Sequence, residues 1–133
     1  MIHRRIVPAV KSNKKKEVYC MSSKSDLAVA HFHSGLNCAQ SVVAVFCEEY
    51  GMDKIALKMC SGLCAGIRSG ELCGTVSGAV LVIGVKYGQG IAEDKTAKET
   101  CNAKTVEFMN LFRTKNKSVV CHDILELDLS IKE

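Results

Sequence analysis

The chain has no tryptophan and one proline, and aromatic residues make up 5% of its 133 positions. A core drawn from this composition must be aliphatic and rich in small residues. Long apolar runs are missing too. The longest near-apolar stretch, Val76 to Val85, is ten residues broken by Ser77, Gly78 and Gly84. A membrane-spanning helix needs about 20, which excludes one here. No secretory signal is recognisable, because the first twenty residues carry Arg4, Arg5, Lys11, Lys14, Lys15 and Lys16 without an apolar segment of the required length. No Cys-x-x-Cys occurs, so the thioredoxin motif, the zinc ribbon and covalent haem attachment all lack their signature. What remains is 47% hydrophobic and 24% charged, with ten glycines. That is the balance of one compact domain, not of a disordered or collagen-like chain.

The feature present in excess is cysteine. There are eight: Cys20, Cys38, Cys47, Cys60, Cys64, Cys73, Cys101 and Cys121. Their density, about 6%, lies below the roughly 8–10% of a disulfide scaffold. With no export signal, a cytoplasmic, reducing setting is expected, where such a pattern points to metal or redox chemistry rather than structural bridges.

The net charge of +4 is unevenly placed. Residues 1–24 hold seven Lys/Arg against Glu17, whereas the rest hold eleven against thirteen acids. The chain therefore divides into a basic N-terminal arm, 1–24, expected to be disordered, and a helical cysteine-rich domain, 25–133. The arm could bind nucleic acid. A solvated tail is the plainer expectation. Met21 opens a Met-Ser-Ser-Lys-Ser-Asp stretch resembling an ordinary protein start, so residues 1–20 also read as an upstream extension.

Hydrophobic spacing and caps predict six helices. Ser25 or Asp26 caps the first, which ends at Gly35. Asn37 caps the second, Cys38 to Tyr50, in which Ala39, Val42, Val43, Phe46 and Cys47 share a face and Gly51 is the stop. Asp53 caps the third. A glycine-rich connector, 62–74, leads to the stretch Cys73 to Tyr87. Its β-branched run suits a buried strand or helix. Helix is preferred, because a lone strand lacks a partner and Gly74 and Gly78, four apart, form a groove for close crossing. Asp94 caps a long polar helix, about 95–113, with Ala97, Cys101, Val106, Phe108, Met109 and Phe112 facing inward. Ser118 caps a short last helix carrying Cys121. The fold class is all-α, a compact bundle.

Thiolate is the reactive form of cysteine, and free N–H groups at a helix N-terminus favour it. Cys38, Cys73 and Cys121 fall in predicted first turns, although each also suits a small buried hydrophobe. Cys47, on an apolar face, reads as core. His31 and His33 could polarise Cys38 across the turn at Gly35, but carbonyls of their own helix are nearer partners. Arg68 could hold an anion or sit in solvent. No histidine has zinc-ligand spacing.

Several of these segments form a recognisable series. Gly35-Leu36-Asn37-Cys38-Ala39-Gln40-Ser41-Val42, the loop from Ser61-Gly62 to Gly66, Gly70-Glu71-Leu72-Cys73-Gly74-Thr75-Val76-Ser77-Gly78, Tyr87-Gly88 and Ser118 to Leu125 occur in order. The series resembles the C-GCAxxG-C-C proteins, a family named for its cysteine pattern and regarded as redox-active. Thr75 stands where the family has alanine, Cys64 and Ala65 replace loop glycines, and Cys60 is additional. The family's usual further cysteine has no counterpart before Glu133.

The resemblance and the caps together imply a helical redox protein. Cys38, Cys73 and Cys121 are its expected catalytic residues, converging at one end of the bundle. Two of them would cycle between dithiol and disulfide with a redox partner of unknown identity. Alternatively Cys38, Cys64, Cys73 and Cys121 would bind an iron–sulfur cluster. A structural zinc site and a nucleic-acid-binding module using the arm are the rival classes.

Overall fold

A computed structural model of the protein describes residues 23–127. Cys20, Met21 and nearly all of the basic arm lie outside the described residues, as do 128–133. The described residues form six α-helices: α1 (Lys24–His33), α2 (Cys38–Phe46), α3 (Lys54–Met59), α4 (Gly74–Tyr87), α5 (Lys95–Asn116) and α6 (Cys121–Leu125). The expected all-α class holds, with no named strand among these residues.

Local chemistry sets the helix starts. Ser23, rather than Ser25 or Asp26, caps α1; its hydroxyl accepts from Asp26 N–H while the Asp26 carboxylate accepts from Ser23 N–H. Both orphan donors are thereby satisfied. Helix α1 thus opens at Lys24, one residue inside the stretch assigned to the arm. Asn37 caps α2 in the same reciprocal way with Gln40, at 2.8 and 3.1 Å. Asp53 accepts from Ile55 N–H and Asp94 from Ala97 N–H.

Regular α2 ends at Phe46, not Tyr50. The chain winds on in turns to Gly51 (φ 62°), where Met52 N–H reaches Cys47 C=O and Gly51 N–H reaches Glu48 C=O. This paired closure at a left-handed glycine is how many helices stop. The β-branched stretch is helical, as the glycine spacing argues. A Cβ on Gly78 would lie 2.7 Å from Ala39 C=O, so the absent side chain is what lets α4 cross α2. Ala39 is fully buried at this crossing.

The core is small and aliphatic, as composition requires. Ala39, Val43, Cys47, Cys60 and Val82 form its buried centre, with Phe46, Leu57 and Leu63 packed around it. Helix α5 packs beside α4, with Ala97, Cys101, Phe108 and Phe112 half-buried and Val106 pointing outward, contrary to expectation. Val106 lies on the opposite side of the helix from Cys101 and Phe108 at 3.6 residues per turn.

Candidate functional site

The Asn-Cys-Ala-Gln segment divides its work residue by residue. Asn37 caps α2, and its Nδ2 donates to the carbonyls of Cys60 and Ser61. Gln40 closes the capping box and donates to Leu57 C=O and Ser61 Oγ. These two polar side chains pin the end of α3 against the start of α2. Ala39 makes the crossing with α4. Cys38 occupies the first helical position, where free first-turn N–H groups stabilise negative charge.

After α3 the chain makes a single 3₁₀ turn, Ser61–Leu63, and then reverses its hand. Ala65, Gly66, Ile67 and Arg68 have φ of 50, 62, 59 and 56°. Left-handed backbone is costly for any residue but glycine, most of all for a β-branched one. The turn closes through Glu71 N–H to Gly66 C=O at 3.1 Å. A Cβ on Gly66 would lie 2.9 Å from Cys121 Cβ, so this glycine lets the turn press on Cys121. The sequence signalled a glycine-rich connector but not a left-handed turn through Ala65, Ile67 and Arg68.

Beyond that turn, Leu72 and Val120 form an isolated antiparallel bridge. Cys73 N–H donates to Val119 C=O at 2.8 Å, and Cys121 N–H to Glu71 C=O at 2.6 Å. Cys73 is the N-cap of α4, and Cys121 is the first residue of α6. The bridge puts these two cysteines diagonally across from each other on one face. Diagonal neighbours of this kind are about 7–8 Å apart between Cα atoms. Val120 is the cap position of α6, whereas Ser118 acts two residues earlier. Its hydroxyl accepts from Val120 N–H and donates to the Asp123 carboxylate. Cys38 approaches from the other side, since a Cβ on Gly74 would overlap its sulfur.

Cys38, Cys64, Cys73 and Cys121 line one cavity of about 560 Å³. Cys47 and Cys60 are elsewhere, in the core, and Cys101 lies on α5 outside the cavity. Cys121 is 5% exposed, whereas Cys38, Cys64 and Cys73 are half-buried. Burial pushes the Cys121 thiol up from its ordinary value, and the neighbouring Cys73, Cys38 and Cys64 push it further. Cys121 is therefore held protonated. Burial also raises the Cys47 thiol, with contributions from Cys60 and then Asp53, and burial alone raises Cys60.

The remaining cavity wall is mostly apolar, with Val29 and Phe32 of α1, Val42 of α2, Phe112 of α5, and Ile124 and Leu125 of α6; Ser41, Thr75 and Asn116 are its polar members. His31, His33, His122 and Arg68 do not line it. His122 pairs loosely with the exposed Asp123 carboxylate at 3.5 Å. The apolar wall escaped the sequence because its residues come from four helices, and only their packing brings them together.

The four thiols share a cavity without forming a ligand shell. Among the described residues, no three Cys, His, Asp or Glu side chains are gathered closely enough to hold one metal ion. The donor arrangement therefore does not form a preformed single-ion site, such as zinc, over Cys38, Cys64, Cys73 and Cys121.

Comparison with known families settles the kinship. A family model described as "Putative redox-active protein (C_GCAxxG_C_C)" matches residues 36–133. The chain belongs to this family. The C_GCAxxG_C_C match begins at Leu36, so α1, with its share of the cavity wall, lies outside it. No curated protein and no solved structure matches the chain. The family description supports a general redox role. No helix among the described residues is long and apolar enough to cross a membrane.

Proposed function

We propose that the protein is a thiol–disulfide redox protein in which Cys38 and Cys73 form the working pair. One observation carries the reading: cysteines far apart in sequence line a single cavity that has no preformed metal shell. Cys38 is half-exposed at the start of α2, and its sulfur lies against Gly74, the residue after Cys73. Cys121 is buried with its thiol pushed up, which leaves the half-buried Cys38 and Cys73 as the more accessible pair.

The steps balance. The Cys38 thiolate attacks one sulfur of a substrate disulfide, forming a mixed disulfide and releasing one substrate thiolate. The Cys73 thiolate then attacks the Cys38 sulfur, closing the Cys38–Cys73 disulfide and releasing the second substrate thiolate. Two electrons pass from the protein to the substrate, and the reverse sequence oxidises a dithiol. The departing thiolates take their protons from water. Among the described residues no histidine lines the cavity, so the protons of Cys38 and Cys73 go to water.

Elemental analysis of anaerobically prepared protein, combined with thiol counting before and after oxidation, tests the reading. The expected result is no stoichiometric metal and a reversible loss of two cavity thiols. Stoichiometric iron with a visible charge-transfer band, or stoichiometric zinc with the cavity thiols blocked until chelation, would contradict it.

A further inference from the structure

The cavity wall says what kind of molecule the thiols meet. None of the described residues lining it is charged. Its polar side chains are largely engaged. Ser41 Oγ donates to Asn37 C=O at 2.7 Å, and Asn116 Nδ2 donates to Phe112 C=O at 3.1 Å. Apart from Thr75 and the exposed Asn116 carboxamide, the functional groups that a ligand finds are thiols set in a hydrophobic wall. The volume of about 560 Å³ lies in the range of small-molecule sites, roughly 300–1,000 Å³. Transferring a carboxylate or ammonium group into such surroundings without a partner is costly, whereas an apolar body gains by burial.

We infer that the substrate is a small, uncharged, apolar disulfide, and that the cavity discriminates against charged thiol compounds. This rests on the thiol–disulfide reading of the same site. Recognition comes from the wall formed by Val29, Phe32, Val42, Phe112 and Leu125, and chemistry from Cys38. The exchange is the one written above, in which the substrate disulfide accepts two electrons and leaves as two thiols. Two of these wall residues, Val29 and Phe32, come from α1, outside the family match, so part of the selectivity belongs to this chain's own N-terminal helix.

The test compares two disulfide probes on the full reduced chain: neutral 4,4′-dithiodipyridine and dianionic 5,5′-dithiobis(2-nitrobenzoate). Peptide-resolved mass spectrometry follows the first mixed disulfide at Cys38 in the native chain and in the same chain unfolded in urea. Salt at about 0.2 M damps attraction by the basic arm, since the screening length there is under 10 Å. Folding should raise the neutral-to-anionic rate ratio at Cys38 by about tenfold or more. Phe32→Lys, at a side chain already 54% exposed, should return the ratio toward the unfolded value. An unchanged ratio on folding, or a Phe32→Lys variant as selective as the parent, overturns the inference. The first step is read whether or not a second thiol closes the disulfide. Selective labelling without closure would therefore sink the redox reading and spare the cavity's preference. Closure without selectivity would do the reverse.

Discussion

Cys38 and Cys47 stand nine positions apart in one segment and meet opposite surroundings. Cys38 opens α2 at the cavity, half-exposed, whereas Cys47 is 4% exposed in the core with its thiol pushed up by burial. Brief alkylation of reduced, metal-free protein at about pH 7 should label Cys38 well before Cys47. Equal rates would remove the contrast on which the choice of nucleophile rests. Asn37 offers a second test, because its two ends do different jobs. Asn37→Ala loses both the cap and the tether to Cys60 and Ser61, and should cost about 0.5–2 kcal/mol in chemical denaturation. Asn37→Asp keeps the capping oxygen and should recover most of that; an Asp variant as unstable as Ala would show that the tether dominates. The cap at Asn37 was legible because Asn and Gln stand three apart before an apolar run. The cap of α1 was not, since several polar residues in succession each suit an N-cap, and only the reciprocal Ser23–Asp26 bonds decide.

At the scale of elements, the α2–α4 crossing and the left-handed turn carry the site. Gly78 has Ala39 backbone where a side chain would stand, and backbone cannot move aside cheaply. Gly78→Ala should therefore destabilise the protein by about 1–3 kcal/mol, read as a shift in the denaturation midpoint. An unchanged midpoint would mean that the helices sit further apart. The turn makes the opposite prediction. Ile67 is 52% exposed, so little packing is lost on truncation, and its positive φ strains a β-branched side chain. Ile67→Gly should stabilise the fold by up to about 1 kcal/mol, the relief of left-handed strain offset in part by the freer unfolded chain. A clear loss of stability would show that the Ile67 side chain does more than tolerate its position. The helical state of the β-branched stretch was legible from Gly74 and Gly78, since a strand there has no partner. The turn was not, because Ala65, Ile67 and Arg68 have no preference for positive φ. Their conformation is imposed by the Glu71–Gly66 hydrogen bond and by packing against Cys121.

At the scale of the molecule, the six helices bring cysteines from separate segments into one cavity and leave another pair in the core. The convergence was partly legible, because Cys38, Cys73 and Cys121 each precede or open a helix in the pattern. The apolar wall depends on how α1, α2, α5 and α6 meet, which local periodicity does not encode. Burial also links stability to pH. Cys47, Cys60 and Cys121 have thiols raised above their ordinary value of 9.0, so the folded chain holds protons that the unfolded chain releases above that pH. Their contribution is fully present below about pH 9 and is lost as pH rises through the higher folded values. Urea midpoints should therefore fall from pH 8.5 to about 10.5, and fall less steeply in a Cys47→Ala, Cys60→Ala double variant. The same slope in that variant would assign the loss to other groups.

The most direct test of the central claim is an equilibrium redox titration of the full, metal-free chain in dithiothreitol buffers, with acid quenching, alkylation of remaining thiols and peptide mapping. The account expects one two-electron transition whose oxidised product joins Cys38 to Cys73, leaving Cys121, Cys47 and Cys60 as thiols. A product joining Cys47 to Cys60, or no disulfide within the cavity at any potential, would contradict it.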